Sequence, residues 1–168
     1  GVSSAASDVY KRQDLLLAFP ALLLAIIAGA VWGPSTLTAM VAIGIAGIPS
    51  FARVARSGTL QVITQDYISS ARISAVPGWK VAWRHILPNI AGLLIVQASV
   101  YFALAILAEA GLSYLGLGTA PPAASWGRML QDSQSLLGTA PLQAFWPGLA
   151  IAATVLGLSL IHISEPTR

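Results

Sequence analysis

Side chains able to perform chemistry are few in this sequence. The 168-residue chain contains no cysteine, two histidines and six acidic residues. Disulfides, thiolate metal ligands and cysteine nucleophiles are therefore excluded. A multi-histidine metal site is also excluded, because His162 lies in a terminal segment treated separately below and leaves His85 alone. No phosphate-binding glycine loop or hydrolase motif occurs. We therefore predict no catalytic residue, no bound metal and no cofactor.

One carboxylate lies in an apolar stretch. Glu109 follows the uncharged residues 90–108 and precedes the apolar sequence GLSYLGLG. A charged side chain at the centre of a membrane costs about 2.5–3.5 kcal/mol on insertion scales. Glu109 should therefore face a polar interior, pair with a base or be neutral. Alternatively it is solvated at the external headgroup level, because it lies about 20 residues, one bilayer thickness, beyond Ile90.

A basic segment carries most of the remaining charge. Residues 53–89 contain Asp66 and five basic residues: Arg53, Arg56, Arg72, Lys80 and Arg84. The positive-inside rule places this segment in the cytoplasm. Two short helices are predicted within it. The first is capped by Asp66 and ends near residues 77–78, and the second covers 79–87, before Pro88 and Asn89 interrupt the chain.

The elements that position these residues are apolar spans. The chain is 56% hydrophobic and 9% charged, with a mean hydropathy of +0.76. Soluble domains are about 25% charged, so a soluble or disordered protein is excluded. Four spans are predicted, at 15–32, 36–52, 90–108 and from 145 to 157 or beyond. We read Pro20 and Pro147 as kinks. The fold class is an all-α polytopic transmembrane helical bundle.

Two further features concern helix packing and the external side. Small residues on the second span, Ala42, Gly44 and Gly47, form a face suited to close helix contact. Residues 119–144 lie outside if 53–89 is cytoplasmic. Within them, Ser125 could cap an amphipathic helix lying on the membrane surface, with one apolar face formed by Trp126, Met129, Leu130 and Leu137.

Both ends of the chain look foreign to the rest. Residues 3–13, SSAASDVYKRQ, and 158–168, LSLIHISEPTR, resemble translations of the two adaptor oligonucleotides used in transposase-based library preparation. We therefore expect adaptor-derived tails at 1–13 and 158–168. The transmembrane domain fragment is then 14–157, with 56–89 as its cytoplasmic loop.

The cytoplasmic loop carries a family motif. Residues 66–89, DYISSARISAVPGWKVAWRHILPN, resemble the signature loop of permease subunits in ATP-binding-cassette (ABC) importers. The RHILPN segment at 84–89 matches the family pattern completely, and Tyr67, Ala71 and Arg72 also match. Four further stretches resemble the dipeptide/oligopeptide/nickel branch of that family: 14–20, 105–118, 121–130 and 145–151.

Three positions of the loop depart from the family pattern. Ser69 stands where the pattern has Glu, Ser70 where it has Ala, and Ala75 where it has Gly. Glu at position 69 would complete a capping box with Asp66. Alanine at position 75 fits only if the backbone there does not need a positive φ.

The resemblance implies about four spans of a six-span inner-membrane permease, with a cytoplasmic coupling helix docked on an ATPase. Glu109 would lie on the translocation path or the permease interface. Trp126 and Arg128 would lie on the external face, although Trp126 could equally be an interfacial anchor. The residues implied in ATPase coupling are Asp66, Tyr67, Ile68, Ser69, Ser70, Ala71, Arg72, Ala75, Gly78, Arg84, His85, Pro88 and Asn89.

The implied partners are ABC ATPase subunits, a second permease subunit, an extracytoplasmic substrate-binding protein and membrane lipid, with no nucleic acid. The implied cargo is a di- or oligopeptide or a related small solute, and ATP hydrolysis resides on a separate subunit. Three alternatives remain open. The chain could be a passive channel or ion-coupled carrier, the basic loop could lie on anionic lipid, or the chain could be a truncated permease without function.

Overall fold

A computed structural model describes residues 21–164, except the side chains of Arg72 and 161–164. Within this range the chain is helical and has no strand, which confirms the all-α prediction. The described residues form seven α-helices: α1 (Ala21–Trp32), α2 (Thr36–Val62), α3 (Asp66–Ile73), α4 (Gly78–Val81), α5 (Leu87–Tyr114), α6 (Trp126–Ser133) and α7 (Leu142–Ser164). A 3₁₀ turn, Gln134–Leu136, lies between α6 and α7. A π-helical turn, Ala82–Ile86, joins α4 to α5.

Three helical segments are long and apolar enough to cross a membrane. They are Thr36–Val62, Gly78–Tyr114 and Leu142–Leu160. The described part of the first predicted span, α1, is shorter, and its remainder at 15–20, including Pro20, lies outside the described residues. Pro147 lies inside α7 and is fully buried.

The second span continues into the segment predicted to be a loop. Ser35 caps α2, since its Oγ accepts a hydrogen bond from the Thr38 amide at 3.1 Å. The helix then runs past residue 52 to Val62 and includes Arg53 and Arg56. The hydropathy pattern predicted where the apolar stretch ends, at residue 52, and not where the helix ends. The helix itself persists, because arginine is a good helix former and no proline follows before Val62.

The third span also begins earlier than predicted. Pro88 and Asn89 do not interrupt the chain, because α4, the π turn and α5 form one continuous helix of 37 residues. At 1.5 Å per residue it is about 55 Å long, more than the 40–45 Å of a whole bilayer. One rigid element therefore connects the motif-bearing loop with the far side of the membrane.

Helix α5 is the centre of the bundle, with α2, α6 and α7 packed against it. A Cβ atom added at Gly47 of α2 would lie 2.5–2.7 Å from the ring of Tyr101 on α5. That ring is fixed, because its hydroxyl donates a hydrogen bond to the Ile43 carbonyl at 2.5 Å and its edge contacts Phe51. Gly44, on the same predicted face, has open space around it.

We expect Gly47→Ala to lower the free energy of unfolding by about 1–3 kcal/mol, because the new methyl group overlaps a ring that cannot move without losing its hydrogen bond. Gly44→Ala is the matched control and should leave stability equal or slightly higher. Unfolding in detergent, followed by tryptophan fluorescence, measures both variants. Equal effects would contradict the proposed packing.

Candidate functional site

A cavity of about 450 Å³ lies between α2, α5 and the segment that leads into α6. Its lining is mostly apolar, and Glu109 is the only charged residue among the described residues that line it. The lining residues that the argument uses are Thr36, Met40, Tyr101, Phe102, Glu109, Thr119 and Trp126. The cavity therefore brings together two residues singled out from the sequence, Glu109 and Trp126.

Hydroxyl groups from two chain segments hold Glu109. Its Oε1 atom accepts hydrogen bonds from Ser113 Oγ at 2.6 Å and from Thr119 Oγ1 at 2.8 Å. Ser113 in turn accepts from the Thr119 amide at 2.8 Å. Thr119 Oγ1 also lies 2.8 Å from Thr36 Oγ1, at the start of α2. The carboxylate thus has polar partners inside the protein, as the membrane cost predicted.

The position of α6 completes one wall of the cavity. Ser125 caps α6 as predicted, with its Oγ accepting from the Arg128 amide at 3.2 Å. Gly127 lies so close to α5 that an added Cβ would overlap the Ala110 carbonyl. This contact holds the neighbouring Trp126 at the cavity. Arg128 forms a one-turn ion pair with Asp132, at 3.1 Å between Nε and Oδ1.

The residues predicted to form one apolar face do not all point away from the bundle. Trp126, Met129 and Leu137 are exposed, but Trp126 also lines the cavity and Leu137 lies beyond the end of α6. Leu130 is half-buried, and Gly127 and Ser133 are buried. The face is available to a membrane surface, and its contact with lipid stays a prediction. The helix is attached to the bundle by its small residues, Gly127 and Ser133, which do not belong to the predicted apolar face.

Helix α3 presents most of its surface to the exterior. Ile68 is fully buried, while Tyr67, Ser69 and Ser70 are exposed. The Tyr67 ring packs near His85 of the π turn, with ring centroids 6.4 Å apart. Asp66 is the first residue of the helix instead of its predicted cap, and its backbone carbonyl accepts from Ser70 Oγ.

The end of α3 shows why the family pattern has glycine at position 75. Ala75 has a φ of 55°, in the left-handed region that disfavours residues with a Cβ. The Val76 amide donates to the Ala71 carbonyl at 3.1 Å, which is the bond of a Schellman motif. Helix α4 follows directly at Gly78. The backbone therefore needs the positive φ that the departure from glycine put in question.

The RHILPN motif has a local structural explanation. Pro88 has no amide hydrogen and would clash with a carbonyl one turn earlier in a regular α-helix. The π turn widens the ladder at this point, and the Leu87 amide donates to the Ala82 carbonyl. Asn89 Nδ2 then donates to the His85 carbonyl at 2.6 Å. The motif thus accommodates a proline within a continuous helix, with the Ala82 and His85 carbonyls hydrogen-bonded.

The predicted residues do not form one cluster. Asn89 and Glu109 lie at opposite ends of α5, about 30 Å apart along the helix. In the first turns of the 37-residue helix, Trp79 and Trp83 are exposed and Leu87 is half-buried. The sequence reasoning missed Thr36, Ser113 and Thr119. Only Ser113 had a local signal, since it lies one helical turn after Glu109.

Comparison with known proteins gives a family. The profile described as "Binding-protein-dependent transport system inner membrane component" matches residues 13–164. The chain belongs to this family. It is therefore a multi-pass inner-membrane component of the binding-protein-dependent transport systems, in agreement with its three apolar helices of spanning length.

Relatives include permeases named for peptide transport. The chain is 40% identical over 148 residues to the dipeptide transport system permease protein of Alkalihalophilus pseudofirmus, covering 88% of this chain and 49% of that protein. It is 41% identical over 153 residues to the glutathione transport system permease protein of Pectobacterium atrosepticum, covering 91% and 51%. The dipeptide permease of Escherichia coli is 38% identical over 153 residues, with coverage of 91% and 51%. The chain thus spans about half the length of these relatives.

Thr119→Val tests the hydroxyl network around Glu109. We expect a loss of about 1–3 kcal/mol in unfolding free energy, because Glu109 and Thr36 each lose a partner in a half-buried setting. Thr154→Val is the control, since that hydroxyl donates to the Ala150 carbonyl of its own helix. It should change stability by less than about 0.5 kcal/mol. Similar losses in both variants would show that the network contributes no more to stability than a hydroxyl bonded within its own helix.

Ala75→Gly tests the end of α3. Removing the Cβ from a left-handed position should stabilise the helix end by about 1 kcal/mol and slow hydrogen exchange of the Ser74 and Val76 amides about five-fold. Ala71→Gly places glycine inside the same helix and should accelerate exchange there. Hydrogen–deuterium exchange of the 66–76 peptide measures both. Faster exchange in Ala75→Gly would contradict the left-handed conformation.

Proposed function

We propose that the protein is a permease subunit of an ABC importer and forms part of the translocation path for di- or oligopeptides or a related small solute. One observation carries the proposal. A single continuous helix, Gly78–Tyr114, has the motif-bearing segment beside its first turns and the Glu109 cavity near its last turns. Such an element can transmit a displacement at one membrane face to a cavity near the other. The names of the relatives, for dipeptides and glutathione, supply the solute class.

The coupling role falls to α3. The surface that would enter a cleft of an ATPase subunit is formed by its exposed residues Tyr67, Ser69 and Ser70. Ile68 is buried and attaches the helix to the rest of the protein. The contact of Tyr67 with His85 joins this surface to the long helix. A displacement of α3 would thereby move the first turns of the 37-residue helix. ATP would be hydrolysed on the ATPase subunit.

The remaining partners are assigned by position. Basic residues flank the motif-bearing end, which puts that end in the cytoplasm and the Glu109 cavity near the external face. A substrate-binding protein would approach there, over Trp126 and Arg128. A second, related permease subunit would complete the path on the open side of the cavity.

Cross-linking tests the ATPase contact. These 168 residues contain no cysteine, so one introduced cysteine gives a unique label within them. We expect Ser69→Cys, labelled with benzophenone maleimide in membranes that hold the complete transporter, to give a photo-adduct with the ATPase subunit. Thr139→Cys, exposed at the opposite end of the bundle, is the control and should give none.

Two results would contradict the assignment. Adducts of Ser69→Cys with lipid alone would favour the interpretation of the basic loop as a lipid-surface segment. Solute uptake by reconstituted vesicles that proceeds equally with and without ATP would favour a passive channel or carrier. Uptake that needs ATP, together with the ATPase adduct, supports the importer.

A further inference from the structure

We propose that Glu109 and the aromatic side chains around it form a binding site for a protonated amine of the transported solute. The inference rests on the proposed function and names the chemical group that the cavity selects. The site would lie near the external end of α5, where a solute enters the path. A free α-ammonium group, as on an unmodified peptide, is the ligand that its chemistry fits.

Glu109 has no counter-charge among the described side chains. Of the described residues that line this mostly apolar cavity, Glu109 is the only charged one. No described basic side chain forms an ion pair with Glu109, and Arg128 pairs with Asp132. A carboxylate in surroundings of low dielectric is stabilised strongly by a cation brought to it. An anionic or neutral solute would leave that charge uncompensated.

The second argument is the direction of the hydrogen bonds. Thr119 Oγ1 donates its only hydrogen to Glu109, so it must accept from Thr36 Oγ1. Ser113 likewise donates to Glu109 and accepts from the Thr119 amide. Each hydrogen bond of this network is thus directed toward Oε1, either directly or through one intervening hydroxyl. The other oxygen, Oε2, accepts no hydrogen bond from the described residues and is free to accept one from a ligand.

The third argument is the aromatic lining. Tyr101, Phe102 and Trp126 all border the cavity. The Tyr101 hydroxyl is used on the Ile43 carbonyl, so its ring is what it can offer a ligand. Aromatic rings attract ammonium groups, and the attraction grows when water is excluded. A cavity lined by one carboxylate and three aromatic side chains therefore favours a cation over a neutral hydrogen-bond donor.

The size of the cavity agrees with a small solute. About 450 Å³ lies within the usual range of small-molecule sites. Dipeptides and glutathione, for which the relatives are named, carry a free α-ammonium group. The site would hold the amino end of such a solute and discriminate against the same solute with its amine acylated.

A labelling experiment tests this site in the complete transporter in membranes. Met40 lines the cavity and is exposed, so Met40→Cys gives a single reporter for maleimide labelling. The probes are L-alanyl-L-alanine and N-acetyl-L-alanyl-L-alanine. We expect the free dipeptide to slow labelling at about ten-fold lower concentration than the acetylated one, since the charge-assisted bond is lost on acetylation.

Two carboxylate variants complete the design. In the Met40→Cys background, Glu109→Gln should abolish the difference between the two probes, because the amide keeps the shape and removes the charge. Asp132→Asn, which removes a carboxylate outside the cavity, should keep the difference. Equal protection by both probes with Glu109 present would overturn the proposal. So would discrimination that survives Glu109→Gln. A third result would also overturn the proposal: the transporter with Glu109 shows no discrimination, and Glu109→Gln prevents its assembly. This result would show that Glu109 pairs with a basic side chain of another span.

ATP-dependent uptake of the same dipeptide separates this proposal from the importer assignment. Uptake that needs ATP, without discrimination at the reporter, retains the importer and rejects the amine site. Discrimination that depends on Glu109, with uptake indifferent to ATP, retains the amine site and rejects the importer.

Discussion

A carboxylate inside an apolar bundle must have partners, and this requirement fixes much of the structure. The partners of Glu109 are hydroxyls, at Ser113 one turn along α5 and at Thr119 beyond its end. Thr119 in turn bonds Thr36 at the start of α2. One half-buried carboxylate thereby joins the end of α5, the following segment and, through Thr119, the first turn of α2. The position of the cavity follows from these bonds.

Close approach between helices is the second determinant, and small residues provide it. Gly47 admits the Tyr101 ring against α2, and Gly127 admits the backbone of α5 against α6. Both contacts border the Glu109 cavity, because Tyr101 and Trp126, the neighbour of Gly127, belong to its lining. Lipid chains are as apolar as leucine, so van der Waals packing of this kind, and not hydrophobic burial, is what holds such helices together.

Local chemistry was predictable from the sequence, and contacts over long distances were not. The caps at Ser35 and Ser125 and the membrane spans follow from patterns within a few residues. The partnership of Thr36 with Thr119 spans 83 positions and leaves no local trace. The π turn was missed for another reason. Pro88 usually marks a break, but the sequence alone did not reveal that Asn89 bonds the His85 carbonyl and lets the helix continue.

That continuity bears on how a transporter could couple its two faces. A helix broken at Pro88 would hinge there and dissipate a displacement applied near α3. The π turn instead accommodates the proline inside a continuous helix. In the proposed mechanism, the motif around Pro88 would therefore connect the first turns of the long helix, next to α3, with the part of that helix that crosses the membrane. On this argument, the residues that matter for transmission are those that satisfy the backbone at the joint, and Asn89 is foremost among them.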